Sequence, residues 1–335
     1  MCMITGLASV RKLIDFINAG GMGTQVPLIT EKLRERGVDV SMENTTGCDI
    51  LHLHTPLPTY LPLIKRARKS GRKVVMHARH LPELVKGGFR GGNLIYPVFH
   101  RYSQYLYNQA DAVVCATPYV KSWMETHGVR SKLYMIPNGV DCSFFRKSEN
   151  LRRQFREKYH LSENDFAVLS VGLMIPRKGI HDFVRVAERC RSTTFIWIGA
   201  TEKVLEKVHV TFPENFVHIP YLPFSDMPSA YNGADVFFFP TYAESYGNVL
   251  MEASSCEKAI VLRDIEIYRE WFTHGENCLK GATVDEFVQA VERLKDDHTL
   301  RESIAQAARR TAQEHDIAHT IDALMNMYEE LMQEN

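Results

Sequence analysis

Short apolar runs alternate along this chain with longer stretches of helical periodicity, and this alternation restricts the fold more than any other feature. In the first half, strands are predicted at 12–17, 38–42, 49–54, 73–77, 111–116 and 132–136. Helices are predicted between them, at 24–36, 57–70, 94–109 and 118–127. Because parallel strands need a crossover helix between them, the pattern predicts an α/β fold with a parallel sheet.

A turn-rich stretch, Ile-Pro-Asn-Gly-Val-Asp at 136–141, interrupts the alternation, which then starts again. Strands are predicted at 166–172, 194–199, 216–219, 235–240 and 259–262. Helices are predicted at 180–190, 228–232, 248–256, 284–295 and through the tail at 299–331, with a break near His315. Two such units in succession predict two Rossmann-like domains facing across a cleft, with ligands beyond the carboxyl ends of the strands.

The chain length of 335 residues also suits two domains. We expect an N-terminal domain at 1–145, a C-terminal domain at 146–310, and a last helix at 311–335 that packs back toward the first domain. Residues 1–147 hold 20 Lys and Arg against 10 Asp and Glu, a net charge of +10, and the remainder carries −10. A basic half can face anionic lipid or nucleic acid, although a solvated basic face accounts for it equally well.

Membrane-spanning and secreted proteins are not indicated. No apolar run reaches the roughly 18–20 residues that cross a bilayer, and charges at Arg11, Lys12 and Asp15 interrupt any signal peptide. The seven cysteines are irregularly spaced without a C-x-x-C pair. These features predict reduced thiols in a cytoplasmic protein.

Glu244 and Glu252 bracket a glycine turn and the start of a helix, directly after an apolar run that predicts a buried strand. The amides near Tyr246, Gly247 and Asn248 would open this helix, where amides and the helix dipole attract phosphate. The two carboxylates are then placed to accept hydrogen bonds from sugar hydroxyls. An exposed loop acid and a solvated helix acid are the plain alternative.

Arg177 and Lys178 follow another predicted strand and precede a helix. Cations at this place would neutralise the negative charge that grows on a leaving diphosphate. Taken alone, a surface basic pair before a helix accounts for them at least as well.

Two further segments are weaker candidates. The loop Gly-Gly-Met-Gly-Thr at 20–24 lacks the G-x-G-x-x-G spacing, although Gly21 and Gly23 would let the backbone approach a phosphate. At 76–80, Met-His-Ala-Arg-His ends a predicted strand, so that His77 or Arg79 is placed to contact a sugar or its leaving group. No Asp-x-Asp stands at an apolar strand end, which predicts no catalytic metal.

Residues 217–257 resemble the donor-site signature of retaining GT-B glycosyltransferases of family 4. The residues that carry the resemblance are Tyr231, Ala234, Asp235, Pro240, Glu244, Gly247, Glu252, Ala253 and Cys256. The resemblance implies that Glu244 holds the donor sugar, Glu252 holds the nucleotide ribose, Arg177 and Lys178 bind the diphosphate, and His77 lies near the reacting sugar. Retention of anomeric configuration is implied in the same way.

Three positions depart from the family pattern. Leu173 stands where an arginine is usual, and Arg177 is expected to supply that charge. Glu257 stands where a glycine is usual, which concerns a turn. Arg79 occupies the place of a usual histidine, which leaves open whether His77, Arg79 or His80 faces the sugar.

Within the family, the segments at 73–77, 177–183 and 261–265 look most like bacterial glycolipid synthases that extend glucosyl-diacylglycerol to a diglycosyl lipid, as in lipoteichoic-acid anchor synthesis. The six cations at 65–73 and the aromatic-rich helix at 94–107 are expected at an anionic lipid surface, although a core-packed helix is an alternative.

We therefore predict a hexosyltransferase on the inner face of the plasma membrane that uses UDP-glucose or UDP-galactose and a glycolipid acceptor, and that does not bind nucleic acid. A soluble sugar or polysaccharide acceptor, an inactive accessory subunit and, more remotely, a nicotinamide dehydrogenase are the alternatives.

Overall fold

The computed structural model describes residues 2–5, 22–42, 47–79, 81–85, 92–199 and 210–334. The chain divides into two compact units. Unit 1 comprises Met1–Gly139 together with Ile317–Asn335, and unit 2 comprises Val140–Asp316. The sequence-based boundaries at 145 and 310 therefore lie six residues from the divisions in the structure.

Unit 1 contains a parallel sheet with helices on both faces. Its strands are β1 (Cys2–Thr5), β2 (Asp39–Ser41), β3 (Ile50–His54), β4 (Lys73–His77), β5 (Ala112–Cys115) and β6 (Lys132–Met135). The helices between them are α1 (Met22–Glu35), α2 (Tyr60–Lys69), α3 (Gly92–Tyr107) and α4 (Pro118–Thr126), with a 3-10 turn at Pro82–Val85. The strand order is β2-β1-β3-β4-β5-β6, and every pairing is parallel.

Unit 2 repeats this arrangement. Its strands are β7 (Ala167–Val171), β8 (Thr194–Ile198), β9 (Phe216–Ile219), β10 (Val236–Phe239), β11 (Ala259–Arg263) and β12 (Leu279–Gly281). Its helices are α5 (Glu149–Lys158), α6 (Ile180–Arg189), α7 (Met227–Gly233), α8 (Asn248–Ser255), α9 (Val284–Asp296) and α10 (His298–Glu314), with 3-10 turns at Pro176–Lys178, Phe224–Asp226 and Glu266–Tyr268. The strand order is β12-β11-β10-β7-β8-β9, the doubly wound order of dinucleotide-binding folds.

The last helix, α11 (Ile317–Gln333), belongs to unit 1. It packs with α1 against one face of the first sheet through Ile321 and Leu324. The hydroxyl of Thr320 donates a 3.1 Å hydrogen bond to the carbonyl oxygen of Pro137. The expected break near His315 is confirmed, because α10 ends at Glu314 and α11 begins at Ile317.

Alternate residues of the strands supply separate cores, because successive side chains point to opposite faces of a sheet. In β4, Val74 and Met76 pack with helices α2, α3 and α4, whereas Val75 packs with α1 and α11. In unit 2, Phe183 of α6 lies against Trp197 and Phe238 with ring centroids 5.1 and 5.6 Å apart. The central strands of both sheets are thus buried between layers of helices, which fixes the loops at their carboxyl ends.

Several elements differ from the sequence-based prediction. The expected strand at 12–17 lies outside the described residues, whereas β1 at Cys2–Thr5 had not been predicted. Helix α5 was also missed, because its sequence ENLRRQFREK has few apolar positions. Its polar side chains bind within unit 2 instead: the Arg152 guanidinium donates to Asp235 at 2.8 Å.

None of the helices in the described part of the chain is long and apolar enough to cross a bilayer. Among the residues whose side chains the structure describes, six cysteines are free thiols, and five of these are buried: Cys48, Cys115, Cys190, Cys256 and Cys278. The expectation of reduced, mostly buried thiols therefore agrees with the described part of the structure.

Candidate functional site

Lys178 and Glu244 stand on loops that follow neighbouring strands of the second sheet. Strands β7 and β10 pair in parallel, with Val236 opposite Val168. The sheet continues from β7 to β8 on one side and from β10 to β11 on the other. Where strand order reverses in this way, the chain leaves the two central strands toward opposite sides of the sheet, and ligands bind in the crevice beyond the carboxyl ends of the strands. The two predicted site segments therefore meet at the switch point of unit 2.

Gly179 lets these two loops touch. It ends the 3-10 turn Pro176–Lys178 in the left-handed region, at φ 81°. A Cβ atom at this position would lie 2.8 Å from the carbonyl carbon of Pro240, which follows β10. Only glycine combines this backbone angle with so close an approach, and the approach holds Lys178 beside the β10 loop.

Lys178, Arg177 and Glu244 form one charged cluster. The ammonium of Lys178 donates to Oε1 of Glu244, and Nη1 of Arg177 lies 3.7 Å from the same oxygen. The hydroxyl of Thr241 donates to this oxygen at 3.0 Å. The Lys178 ammonium also lies 5.3 Å from the centre of the Phe239 ring. Three of the residues predicted to bind the donor are therefore brought together.

The cluster is electrostatically poised to receive an anion. Burial would raise the pKa of Glu244, but the charges of Lys178 and Arg177 outweigh burial and hold this pKa below its usual value. The carboxylate is thus ionised at neutral pH and opposes two cations. The side chains of Arg177 and Lys178 retain 18% and 16% exposure, so a ligand can reach them.

The loop after β10 enters α8 through Gly247. This residue has φ 92°, and a Cβ atom there would overlap the hydroxyl of Tyr268. The Tyr246 ring points into unit 2, where its hydroxyl lies 3.2 Å from Nδ1 of His315. The side chain of Tyr246 therefore anchors the loop. The candidate ligand contacts are the backbone groups from Tyr246 to Asn248, where α8 begins.

Glu252 is a buried carboxylate in α8. Its side chain accepts a 2.6 Å hydrogen bond from the hydroxyl of Tyr231. Burial raises the pKa of Glu252 to about 7, and the Tyr231 hydrogen bond opposes this rise. Glu252 therefore titrates near neutral pH, unlike Glu244.

His77 lies in unit 1, inside a cluster of three histidines at the ends of β3 and β4. Its ring centroid is 5.7 Å from that of His52 and 5.4 Å from that of His54. The guanidinium of Arg79 donates from Nε to Nδ1 of His54 at 3.0 Å. The hydroxyl of Tyr328, in α11, lies 2.7 Å from Nδ1 of His52.

The histidine cluster is closed to solvent. His77 is fully buried, and burial, with the charge of Arg79, lowers its pKa well below the usual value. The same two causes lower the pKa of His52 to about 3. The rings are therefore neutral at neutral pH. A direct contact between His77 and a sugar requires this cluster to open, and the role of His77 stays a prediction.

The glycine-rich loop is described only in part. Gly21 lies outside the described residues, as does His80. Gly23 lies in the first turn of α1. A phosphate contact by Gly21 or Gly23 therefore stays a prediction.

Comparison with known proteins decides the family. Residues 42–144 match the model "Glycosyltransferase Family 4", and residues 152–311 match the model "Glycosyl transferases group 1". The chain is 30% identical over 292 residues to the processive diacylglycerol alpha-glucosyltransferase of Acholeplasma laidlawii, covering 85% of this chain and 87% of that protein. This chain belongs to the group 1, family 4 glycosyltransferases.

Other relatives of this glycosyltransferase agree with the assignment. This chain is 27% identical over 293 residues to the alpha-galactosylglucosyldiacylglycerol synthase of Streptococcus pneumoniae, covering 84% of this chain and 77% of that protein. Sucrose-phosphate synthase from Thermosynechococcus elongatus superposes with a TM-score of 0.83 at 13% identity, covering 100% of both chains. HepE from Anabaena, solved with UDP-glucose, superposes with a TM-score of 0.79 at 17% identity, covering 98% of this chain and 100% of that chain. The predicted GT-B fold is thereby confirmed.

Sequence reasoning missed a network that supports the loop after β10, next to the Arg177–Lys178–Glu244 cluster. Arg263, at the end of β11, forms an ion pair with Asp182 of α6 and donates to the carbonyl oxygen of Pro240 at 3.0 Å. Its guanidinium lies 3.8 Å from the ring centre of Tyr242, whose hydroxyl donates to Asp182 at 2.5 Å. An arginine that ends the apolar run Ala-Ile-Val-Leu was the available signal for this network.

Proposed function

We propose that this glycosyltransferase moves a hexose from UDP-glucose or UDP-galactose to a membrane glycolipid, with retention of anomeric configuration. The observation that carries the proposal is the Arg177–Lys178–Glu244 cluster at the switch point of unit 2. It combines two cations, which suit a diphosphate, with one carboxylate, which suits sugar hydroxyls.

In the proposed donor complex, Lys178 and Arg177 neutralise the charge that develops on the departing UDP. Fixed charges in a partly buried site stabilise such charge more than water does, because they need little reorganisation. Glu244 then accepts hydrogen bonds from the hexose. Its ion pair with Lys178 holds both groups in place before the donor arrives.

The nucleotide would bind beside α8. Glu252 is proposed to accept hydrogen bonds from the ribose hydroxyls, and the backbone from Tyr246 to Asn248 to contact the diphosphate. The left-handed Gly247 at the start of α8 supports this arrangement, because a side chain at that position would collide with Tyr268. The α8 dipole adds positive potential at the same end.

Retention follows in this proposal from transfer on one face of the sugar. The leaving diphosphate accepts the proton of the attacking acceptor hydroxyl. Glu244 is a poor nucleophile because its carboxylate is paired with Lys178 and accepts a hydrogen bond from Thr241. We propose no catalytic metal, since Arg177 and Lys178 supply the positive charge that a metal would otherwise provide.

The acceptor is proposed to be a glycolipid. The names of the Acholeplasma and Streptococcus relatives specify diacylglycerol-based lipids. Unit 1 contains the basic segment of the chain, and four cations on α2 are exposed: Lys65, Arg66, Arg68 and Lys69. These charges suit an anionic membrane surface, where each is worth about 1 kcal/mol.

Helix α3 offers an apolar surface to the same membrane. Leu94, Ile95, Val98 and Tyr105 project from one side of this helix and are 85%, 50%, 72% and 47% exposed. Arg68 of α2 lies 3.4 Å from the carbonyl oxygen of Gln109, just beyond α3. Apolar and basic side chains on neighbouring helices are typical of proteins that lie on a membrane. We therefore propose peripheral attachment to the inner face of the plasma membrane.

A transfer assay tests the donor and acceptor assignments. UDP-glucose and UDP-galactose are each incubated with diacylglycerol, with monoglucosyl-diacylglycerol and with soluble sugars, and the product linkage is determined. We expect an α-linked glycolipid and a rate that Mg²⁺ or Mn²⁺ does not change. Transfer to soluble sugar alone would replace the glycolipid acceptor, and no transfer from any UDP-sugar would indicate an inactive subunit.

Flotation with liposomes tests the membrane surface separately. The enzyme should float with vesicles that contain phosphatidylglycerol, and a Leu94→Ser/Val98→Ser variant should remain at the bottom of the gradient. Tyr221→Ser is the matched control, because Tyr221 is 76% exposed but belongs to unit 2. Flotation of the double variant at the wild-type level would contradict the assignment of α3.

A further inference from the structure

Three side chains with metal-ligating atoms converge in unit 1, where the turn Pro82–Val85 meets α3 and α4. Glu83, His100 and His127 each place one ligand atom within 4.8 Å of the other two. All three are partly exposed, so an ion can reach them from solvent. We propose that they bind a divalent transition-metal ion of the zinc class, at a site distinct from the donor site.

Glu83 is held in position by a second residue. Oε1 of Glu83 accepts a 2.9 Å hydrogen bond from the hydroxyl of Tyr96, one turn before His100 in α3. Oε2 is buried and accepts no hydrogen bond from the part of the chain that the structure describes. A buried carboxylate oxygen without a partner is costly, and coordination to a cation would satisfy it.

His127 has the tautomer that metal binding needs. Its Nδ1 lies 2.8 Å from the carbonyl oxygen of Trp123, and because a carbonyl only accepts, Nδ1 carries the proton. Nε2 therefore presents its lone pair. A backbone carbonyl that fixes the second ring nitrogen is a regular feature of histidines that ligate metals. The ring also stacks on Trp123 with centroids 4.0 Å apart, which fixes its plane.

His100 completes the set from α3. Its ring centroid is 5.3 Å from that of His127, and the two planes are 81° apart. Edge contact with Trp123, at 5.4 Å between centroids, restricts the His100 ring as well. The two imidazoles and the carboxylate thus come from three separate elements whose orientations are already limited by packing.

Two imidazoles and one carboxylate are ligands that zinc commonly uses, with a water molecule in a fourth, open position. Ligand atoms bound at about 2.0–2.1 Å in a tetrahedral site are roughly 3.4 Å apart. The separations in unit 1, at most 4.8 Å, are close enough for small side-chain movements to bring the three atoms to this spacing. The ion would join the turn at Pro82–Val85 to α3 and to the end of α4. It would thereby stabilise the N-terminal half of α3, whose apolar side chains are exposed.

The buried histidine cluster of unit 1, described above, is less suited to a metal ion. His52, His54 and His77 also each place one ring nitrogen within 4.8 Å of the other two. However, Nδ1 of His54 accepts a hydrogen bond from Nε of Arg79, so the single ring proton of the neutral imidazole lies on Nε2, and Nε2 cannot coordinate. The Arg79 guanidinium would in addition repel a cation. This contrast selects Glu83, His100 and His127.

Metal titration of the full-length protein tests the site. Chelator-treated enzyme is titrated with ZnCl₂ in a calorimeter and, separately, with Co²⁺ while visible absorption is recorded. We expect one saturable equivalent, tetrahedral Co²⁺ bands and a higher thermal midpoint with Zn²⁺. Glu83→Gln and His127→Gln should each weaken Zn²⁺ binding at least 10-fold, and Tyr96→Phe, which removes only the support of Glu83, about 10-fold.

His298→Gln is the control for weak surface binding. His298 is exposed, in unit 2, and lies 3.7 Å from Glu302. This substitution should leave Zn²⁺ affinity and stoichiometry unchanged. The proposal is overturned if wild-type protein shows no saturable Zn²⁺ binding, or if Tyr96→Phe and Glu83→Gln both retain wild-type affinity. Each of these results is independent of transfer activity and therefore of the function proposed for unit 2.

Discussion

The ammonium of Lys178 and the carboxylate of Glu244 form an ion pair between residues 66 positions apart in the chain. Their loops meet because β7 and β10 are adjacent in the sheet although β8 and β9 lie between them in sequence. Glu244 thereby holds a cation that would otherwise be uncompensated and partly buried. In the proposed donor complex, an incoming diphosphate would meet a lysine that is already oriented, which would lower the cost of organising the site.

Replacing Lys178 by Ala should reduce kcat/KM for UDP-hexose by about 100-fold, because one charge that stabilises the leaving diphosphate is removed. Steady-state transfer kinetics measure this effect. Lys147→Ala is the control, since Lys147 is 53% exposed and pairs with Glu257 on the surface. An unchanged kcat/KM in Lys178→Ala would remove the cluster from the mechanism.

Affinity for UDP-glucose should rise as the pH increases from 6 to 8. Burial raises the pKa of Glu252 to about 7, so that its carboxylate becomes ionised over this range. The ionised form accepts hydrogen bonds from ribose hydroxyls more strongly than the protonated form does. Glu252→Gln should bind more weakly and lose most of this pH dependence in calorimetric titrations. The same pH profile in both proteins would contradict ribose binding by Glu252.

The candidate site residues that were predicted from the sequence share a position at the end of an apolar strand or in the helix that follows. Glu244, Lys178 and Glu252 could be identified in this way, because doubly wound sheets gather ligands beyond the ends of their strands. The ion pair itself could not be predicted from local pattern. It depends on which strands are neighbours, and the strand order is set by packing of the whole unit.

Clustered polar residues within strands were harder to identify from the sequence. His52 and His54 occupy alternate positions of β3, where three of the five residues in ILHLH are apolar and the pattern indicates an ordinary buried strand. Their partner Tyr328 lies 276 residues from His52, in α11. The structure assembles this cluster through the return of the C-terminal helix to unit 1, and no local signal specifies such a contact.

The histidine cluster should make unit 1 sensitive to acid. Burial and the charge of Arg79 lower the pKa of His52 to about 3 and those of His54 and His77 well below 6.5. These histidines bind protons more readily when unfolded, so their stabilisation is present above about pH 6.5 and is lost as the pH falls toward 3. Each contributes a slope of up to about 1.4 kcal/mol per pH unit.

Native-state hydrogen exchange of the β3 and β4 amides measures this loss within unit 1. His77→Gln should lower the number of protons taken up on unfolding by about one, and so reduce the slope of the unfolding free energy against pH. His298→Gln, at an exposed position in unit 2, should not change this slope. Equal slopes in wild type and His77→Gln would show that the buried ring of His77 does not resist protonation.

Alanine substitutions at Gly179 and Gly275 distinguish the loss of stability caused by a close contact from the loss caused by backbone strain. Both have left-handed backbones, with φ of 81° and 80°. A Cβ atom at Gly275 meets nothing within 4 Å, whereas at Gly179 it would collide with the backbone of Pro240. Gly275→Ala should therefore cost only the strain of the left-handed conformation, about 1–2 kcal/mol. Gly179→Ala should cost about 3 kcal/mol or more, because the loops that follow β7 and β10 must separate.

Denaturant unfolding of the two variants measures this difference, and donor binding gives a second measure. Since the collision would displace the loop that carries Lys178, Gly179→Ala should also weaken UDP-glucose binding, whereas Gly275→Ala should leave it unchanged. Equal losses of stability in the two variants, with donor affinity intact in both, would contradict a role for the Gly179–Pro240 approach in positioning Lys178 beside Glu244.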